Sequence, residues 1–188
     1  MTSLLISHLE SYLGRIDCGW SRDAEGKSLP FQVTRHLEGQ VPDSVAFSTV
    51  GLSKFELTSR RTRKSIRHEL IMCVPDSLRD GSVPGLLQQV GLTTLRSGNA
   101  LLRGDVIGPA GPVLPGSSLT ALYVGVPVYF PDEFAEVEED GKTIIIAWLV
   151  PISDSEADYI TEHGWRQFEH LLAEKDPDLV DVSRPSIC

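Results

Sequence analysis

Apolar residues near the start of the chain recur at helical spacing, Leu5, Leu9, Tyr12 and Leu13, with Ser3 or Thr2 placed to cap and Gly14 to close. The polar stretch 21–28 reads as a loop. Period two then takes over. Residues 31–36 carry Phe31 and Val33 on alternate positions, and Val45, Phe47 and Thr49 repeat the pattern after a Pro42-Asp43 turn. Gly51 closes that second strand, and Phe55 with Leu57 opens a third in antiparallel pairing. The run 68–74 is a strand stopped by Pro75.

Residues 82–96 return to helical spacing through Leu86, Leu87, Val90 and Leu95. Ser82 is placed to cap and Pro84 sits in the first turn, where a missing N–H costs nothing, while Gly91 weakens the expectation of an unbroken helix. Residues 98–117 are rich in Gly and Pro and read as a long irregular loop, a connector or a functional segment. Residues 118–130 alternate well enough for a long strand bent near Gly125-Val126-Pro127, and Pro127 argues for an edge or a distortion. Glu138-Glu139-Asp140-Gly141 is a turn signal. The apolar run 143–150 reads as a central strand buried on both faces, ended by Pro151. Ser153 with Glu156 forms a capping box, Gly164 divides the last helical region, and the tail after Pro177 reads as polar and extended. Strands mixed with a few helices, without strict alternation, predict an α+β fold with a mainly antiparallel sheet, in one domain over residues 1–188.

Length and composition fit this picture. The chain has 188 residues, 41% hydrophobic and 23% charged, which is globular and not disordered. Residues 1–6 lack a basic segment and a small-residue cleavage site, so no signal peptide is expected. No apolar run approaches the roughly 20 residues of a membrane span. Cys18, Cys73 and Cys188 are odd in number and widely spaced, which predicts reduced thiols and a cytoplasmic location, with Cys73 in the core and Cys188 exposed.

Charge changes the picture most. Residues 1–130 hold 13 Lys/Arg and 11 Asp/Glu, a net of +2, whereas residues 131–188 hold 4 and 15, a net of −11. An acidic surface repels nucleic acid and anionic membranes and attracts basic partners. The basic run 60–67, with Arg60, Arg61, Arg63, Lys64 and Arg67, reads as a charged hairpin tip more readily than a phosphate-binding patch, because no aromatic residue is interleaved.

Catalytic patterns are missing from the sequence. It contains no HExxH, CxxC, GxSxG or phosphate-cradling glycine motif. His163 and His170 are two turns apart, and Gly51-Leu52-Ser53 is not a nucleophile elbow because no clear helix follows. Neighbours on a strand point to opposite faces, so His68 and Glu69 cannot act as a unit. The reading is therefore of no enzyme, no metal and no cofactor. The candidate partner-binding residues are Asp132, Glu133, Glu136, Glu138, Glu139 and Asp140, with Glu136, Glu138 and Glu139 taken as solvated in a turn. Trp148, Glu156, Trp165 and Arg184 read as structural.

Three segments in order carry a resemblance: Phe47-Ser48-Thr49-Val50-Gly51-Leu52-Ser53, then Arg67-His68-Glu69-Leu70-Ile71-Met72-Cys73-Val74-Pro75, then Ile145-Ile146-Ala147-Trp148-Leu149-Val150-Pro151-Ile152 with Glu156 and Tyr159. Together with the closing Asp181-Val182-Ser183-Arg184-Pro185, they resemble the suppressor-of-fused-like domain family over residues 29–188. The resemblance implies a mixed α/β domain without known catalysis. Animal members restrain a transcription factor using a second domain, for which this chain has no room. Single-domain bacterial members look like immunity proteins that neutralise secreted toxins, many of them nucleases, by tight binding. The expected partner is thus a protein, a basic nuclease-type toxin in particular. The alternatives are a regulatory interaction protein, or a small-molecule binder or enzyme using the 98–117 loop. The sequence departs from the family pattern at Val50 and in the basic stretch.

Overall fold

The computed structural model describes residues 3–188. Helix α1 (Leu4–Leu13) begins where Ser3 Oγ accepts from the Ile6 N–H at 3.4 Å; the alternative cap, Thr2, lies outside the described residues. Strands β1 (Arg15–Arg22), β2 (Ser28–Leu37) and β3 (Ser44–Val50) follow as an antiparallel meander. The short β4 (Leu57–Thr58) forms a hairpin with β5 (Ser65–Pro75), which also pairs with β3. Next come α2 (Val83–Ser97), β6 (Val106–Ile107), β7 (Ala121–Gly125), β8 (Glu136–Glu139) and β9 (Lys142–Ile152), then α3 (Asp154–His163) and α4 (Trp165–Lys175).

Among the described residues the nine strands form one sheet in the order β1-β2-β3-β5-β9-β7-β6, with β4 beside β5 and β8 beside β9. Every pairing is antiparallel except β5–β9, which runs parallel with Arg67 opposite Ile144. The fold is α+β, as expected.

Both faces of the sheet are covered. On one, Phe31, Val33, Phe47, Leu70 and Met72 pack against Val83, Leu87 and Val90 of α2. On the other, Ile71, Ile146, Trp148 and Ile152 pack against Leu9 of α1, Ile160 of α3 and Phe168 of α4. Burying each such side chain contributes about 1.5–3 kcal/mol. Along β9 the parity alternates between the two cores, with Trp148 and Val150 on one side and Ala147 and Leu149 on the other. Helix α2 runs unbroken through Gly91, where an added Cβ would lie 2.4 Å from Phe31 Cζ. The glycine is there for close packing, not for a break.

Several expectations need correction. The segment 15–22, not anticipated as a strand, is β1: Ile16, Cys18 and Trp20 do alternate, but polar residues and Gly19 hide the pattern, and bulges interrupt its register. The loop therefore shrinks to 23–27. Residues 136–139 are a strand and not a turn; the turn is Asp140-Gly141, with φ of 53° and 70°, the backbone a two-residue hairpin requires. The long strand over 118–130 is only β7, because Pro127 has no N–H for the ladder. The start of β9 is not buried on both faces, since Ile145 is 40% exposed. Ser82 stands at the α2 N-cap without a side-chain hydrogen bond. The tail is less polar than it reads, for it buries Leu179, Val180, Val182 and Arg184.

Candidate functional site

Several polar and charged side chains are buried in the core, Glu69, His36, His68, Glu156 and Arg184 among them. Glu69 is fully buried on β5. Its carboxylate accepts from Thr49 Oγ1 (2.5 Å), Gly51 N (2.8 Å), Ser53 N (3.0 Å) and Ser53 Oγ (2.7 Å). Burial pushes its pKa up, and those hydrogen bonds oppose the shift. Nearby, Arg67 donates to the carbonyls of Ser53 and Lys54, each at 2.8 Å, and to Glu56 at 2.6 Å. The first two sequence motifs are thus one physical unit, in which β5 side chains pin the turn that ends β3. Gly51, at φ 98°, supplies its left-handed corner.

The last motifs form a second unit. Glu156 completes the capping box of α3. It also meets Arg184 in a buried bidentate pair, Nη1–Oε1 2.6 Å and Nη2–Oε2 2.9 Å. Arg184 Nη2 also donates to the Pro151 carbonyl at 3.2 Å, and the Ile187 N–H donates to Glu156 Oε1 at 3.2 Å. One carboxylate therefore joins the end of β9, the start of α3 and the tail.

The buried histidines serve apart from either carboxylate. His36 Nδ1 donates to the Gly14 carbonyl at 2.9 Å, which leaves Nε2 to accept from the Thr34 or Ser48 hydroxyl; burial holds its pKa down. Neither ring nitrogen of His68 makes a close, well-aligned hydrogen bond among the described residues, and burial lowers its pKa to about 4 against an opposing pull from the Leu101 backbone. Cys73 is buried, with its thiol pushed up to about 12, so it is no nucleophile. Among the described residues no three His, Cys, Asp or Glu side chains gather as a metal site.

The surface site is set by topology. Because β5 and β9 run parallel and in register, the β4–β5 hairpin and the β8–β9 hairpin leave the sheet at the same end. The basic run 60–67 and the acidic run 136–140 therefore lie toward the same end of the sheet, with β9 between β5 and β8, which spacing alone could not reveal. Three of the basic residues are committed within the fold. Arg60 and Arg61 reach Asp105 at 3.0 and 3.2 Å, and Arg67 holds the β3 turn.

The six predicted acidic residues divide. Asp132 and Glu133 lie exposed on a short 3-10 turn (Asp132–Ala135) just before β8, Glu136 and Glu138 point outward from β8, and Asp140 is at the hairpin tip. Thr143 donates to Glu138 across the hairpin. Glu139 faces inward and is spent on structure, accepting from Ser3 Oγ (2.5 Å) and Leu5 N (3.1 Å) at the start of α1. The Ser3 hydrogen bond holds its carboxyl below the ordinary range. The outer edge of β8 pairs with no strand among the described residues. Beside its outward glutamates lies the exposed Ile145.

A second candidate is a cavity of about 440 Å³ between α2 and the 98–117 segment. Thr93, Thr94 and Thr120 line it together with Leu86, Val90, Leu122 and Arg60, and the Thr120 hydroxyl is already donated to Asp154. Sequence reasoning named the loop but neither the α2 wall nor Asp105.

The comparisons with known proteins agree with this architecture. Among curated proteins none matches the sequence. Among solved structures, a suppressor of fused homolog from Neisseria gonorrhoeae FA 1090 superposes with a TM-score of 0.77 at 18% identity, covering 98% of this chain and 94% of that one. The protein in the Sufu-Fu complex superposes at 0.72 with 16% identity, covering 97% and 90%. Drosophila Suppressor of Fused superposes at 0.71 with 17% identity, and this chain spans half of its length. The family model described as Suppressor of fused protein matches residues 27–185, and the chain belongs to that family.

Proposed function

We propose that this protein is a non-catalytic binding module of the immunity type, which neutralises a basic protein partner, a nuclease-type toxin foremost. The observation that carries the reading is the free acidic edge at β8. Asp132, Glu133, Glu136, Glu138 and Asp140 are exposed, and none has an ion-pair partner among the described residues. Such an edge resists indiscriminate strand pairing and speeds the encounter with a basic surface. The interior supports the same reading, because Glu69, Glu156 and Arg184 are all engaged in holding turns and the tail. A similar fold has been solved in the Sufu-Fu complex. Three free cysteines fit a reducing cytoplasm.

The test begins with affinity capture from the source cells, followed by association kinetics with the captured protein. The Glu136→Lys/Glu138→Lys/Asp140→Lys variant should associate about tenfold more slowly at low salt, with a flatter salt dependence. An unchanged rate would sink the acidic-edge reading. Capture of a regulatory protein instead of a toxin would move the assignment to a regulatory interaction module.

The cavity beneath 98–117 favours a second reading, a small-molecule binder or an enzyme, since its volume and mixed lining suit a compact ligand. Failure to capture any protein, with a metabolite protecting Thr94 and Leu122 amides from exchange, would select it.

A further inference from the structure

The face of the sheet opposite α2 carries a groove that the proposed function does not use. It is a cavity of about 780 Å³ between the sheet and α4. Trp148 and Val150 of β9, both buried, lie at its floor beside Gly125, where an added Cβ would stand 3.3 Å from the Tyr123 ring. Leu172 and Ala173 of α4 form one wall. The opposite rim is Val128 and Tyr129, 61% and 37% exposed, two large apolar groups held at the surface. That rim is fixed: the Tyr129 ring lies 5.1 Å from that of Trp148, and its hydroxyl accepts from Leu179 N at 2.9 Å.

The two ends of the groove differ in charge. At one, Arg103 and Arg166 lie over the Trp165 ring at 5.1 and 5.2 Å. Glu169 there is saturated by Arg103 (2.8 and 2.6 Å) and by the Tyr123 hydroxyl (2.7 Å). At the other end the groove passes Tyr129 into a shallower cavity of about 490 Å³ that reaches Asp178. Asp176 and Asp178 stand there with no ion-pair partner among the described residues. Burial raises the Tyr129 pKa, and the fields of Asp178 and Asp176 add to the shift, which places both carboxylates near that rim.

We propose that this groove receives an apolar side chain from a basic segment of the protein partner. The side chain lodges against Val128, Tyr129 and Leu172, above the buried Trp148, and a lysine or arginine further along the segment reaches Asp176 and Asp178. An apolar anchor in a desolvated pocket beside a charged rim is the usual anatomy of an interaction hot spot. The polarity of the groove fixes the direction of the segment, because a cation at the Trp165 end would meet Arg103 and Arg166. The proposal rests on the reading of the chain as a protein-binding module, but not on the acidic edge at β8.

The test is amide chemical-shift mapping with three probe peptides, acetyl-Gly-Φ-Gly-Lys-Lys-amide with Φ as Leu, Phe or Trp, and matched controls with Glu in place of Lys. At least one lysine peptide should shift Val128, Tyr129, Ala173 and Asp176 in a saturable way. Asp176→Asn with Asp178→Asn should weaken it about fivefold, and Ala173→Trp should abolish binding. Val128→Glu, at an exposed position, is the second blocking variant should Ala173→Trp fail to fold. Absence of groove shifts at millimolar peptide, equal binding of the Glu controls, or shifts confined to the cavity beneath 98–117 would each overturn the proposal. So would a captured natural partner that binds Val128→Glu as tightly as the unaltered protein. Peptide binding in the groove with no protein partner captured would overturn the proposed function and leave the groove standing.

Discussion

Two sets of carboxylates in this molecule share one chemistry and differ in everything else. Glu69 and Glu156 are wholly buried and meet several donors each. Glu136 and Glu138 stand on an open strand edge in water. A buried carboxylate survives only where its lone pairs are met, so the first set reports on how the chain closes. A solvated one contributes little to stability, so the second set is free to serve encounter. Glu139, between Glu138 and Asp140 in sequence, belongs with the first set because the strand turns it toward α1. The difference between structure and surface here is one residue of strand parity.

Breaking the interior set should have the largest effect. Glu156→Gln leaves Arg184 buried and unpaired and should cost about 3–5 kcal/mol in urea unfolding; Glu156→Gln/Arg184→Met should cost less than the single change. If both variants unfold alike, the pair is not what holds the tail.

His68 sharpens the comparison through pH. Its pKa is near 4 in the fold against about 6.5 unfolded. The neutral form is favoured by folding, so its contribution is intact above about pH 6.5 and lost as pH falls toward 4. From pH 7 to 4.5 it should withdraw about 2–3 kcal/mol. His68→Leu should remove that part of the pH dependence while changing stability by about 1 kcal/mol or less at pH 7. An unaltered slope would contradict the neutral buried ring.

The boundary residue comes next. Glu139→Gln should cost about 1 kcal/mol through the α1 N-terminus, seen as faster amide exchange in α1. Smallest of all, Glu136→Lys with Glu138→Lys should leave unfolding within about 0.5 kcal/mol. A larger loss would place those glutamates with the interior set.

What the sequence disclosed follows the same division. Local physics was legible: the Ser153 capping box, the break at Gly164, the central strand through Trp148 and the core position of Cys73 all rest on neighbours a few residues apart. Edge strands were not, because β1 and β8 carry the polar side chains that edges tolerate, and composition masks their period. Contacts across the chain were not legible either. Glu69 and Ser53 are 16 positions apart, and Glu156 and Arg184 28, with nothing between to announce the pairing. That the basic and acidic hairpins leave the sheet at the same end depends wholly on β5 lying parallel to β9. Of the candidate site, the acidic residues could be named in advance, but their surface could not.

That parallel pair also sets a schedule for synthesis. Arg67 and the Ile144 it pairs with are 77 positions apart. At about 5–20 residues per second, a growing chain holds β5 ready for roughly 4–15 s before β9 exists to cover its free edge. Throughout that interval the backbone beside Glu69, Leu70 and Ile71 offers an unpaired template to any other strand. The ribosome-bound half of this protein is therefore where aggregation should start, and where a chaperone would find its longest opportunity.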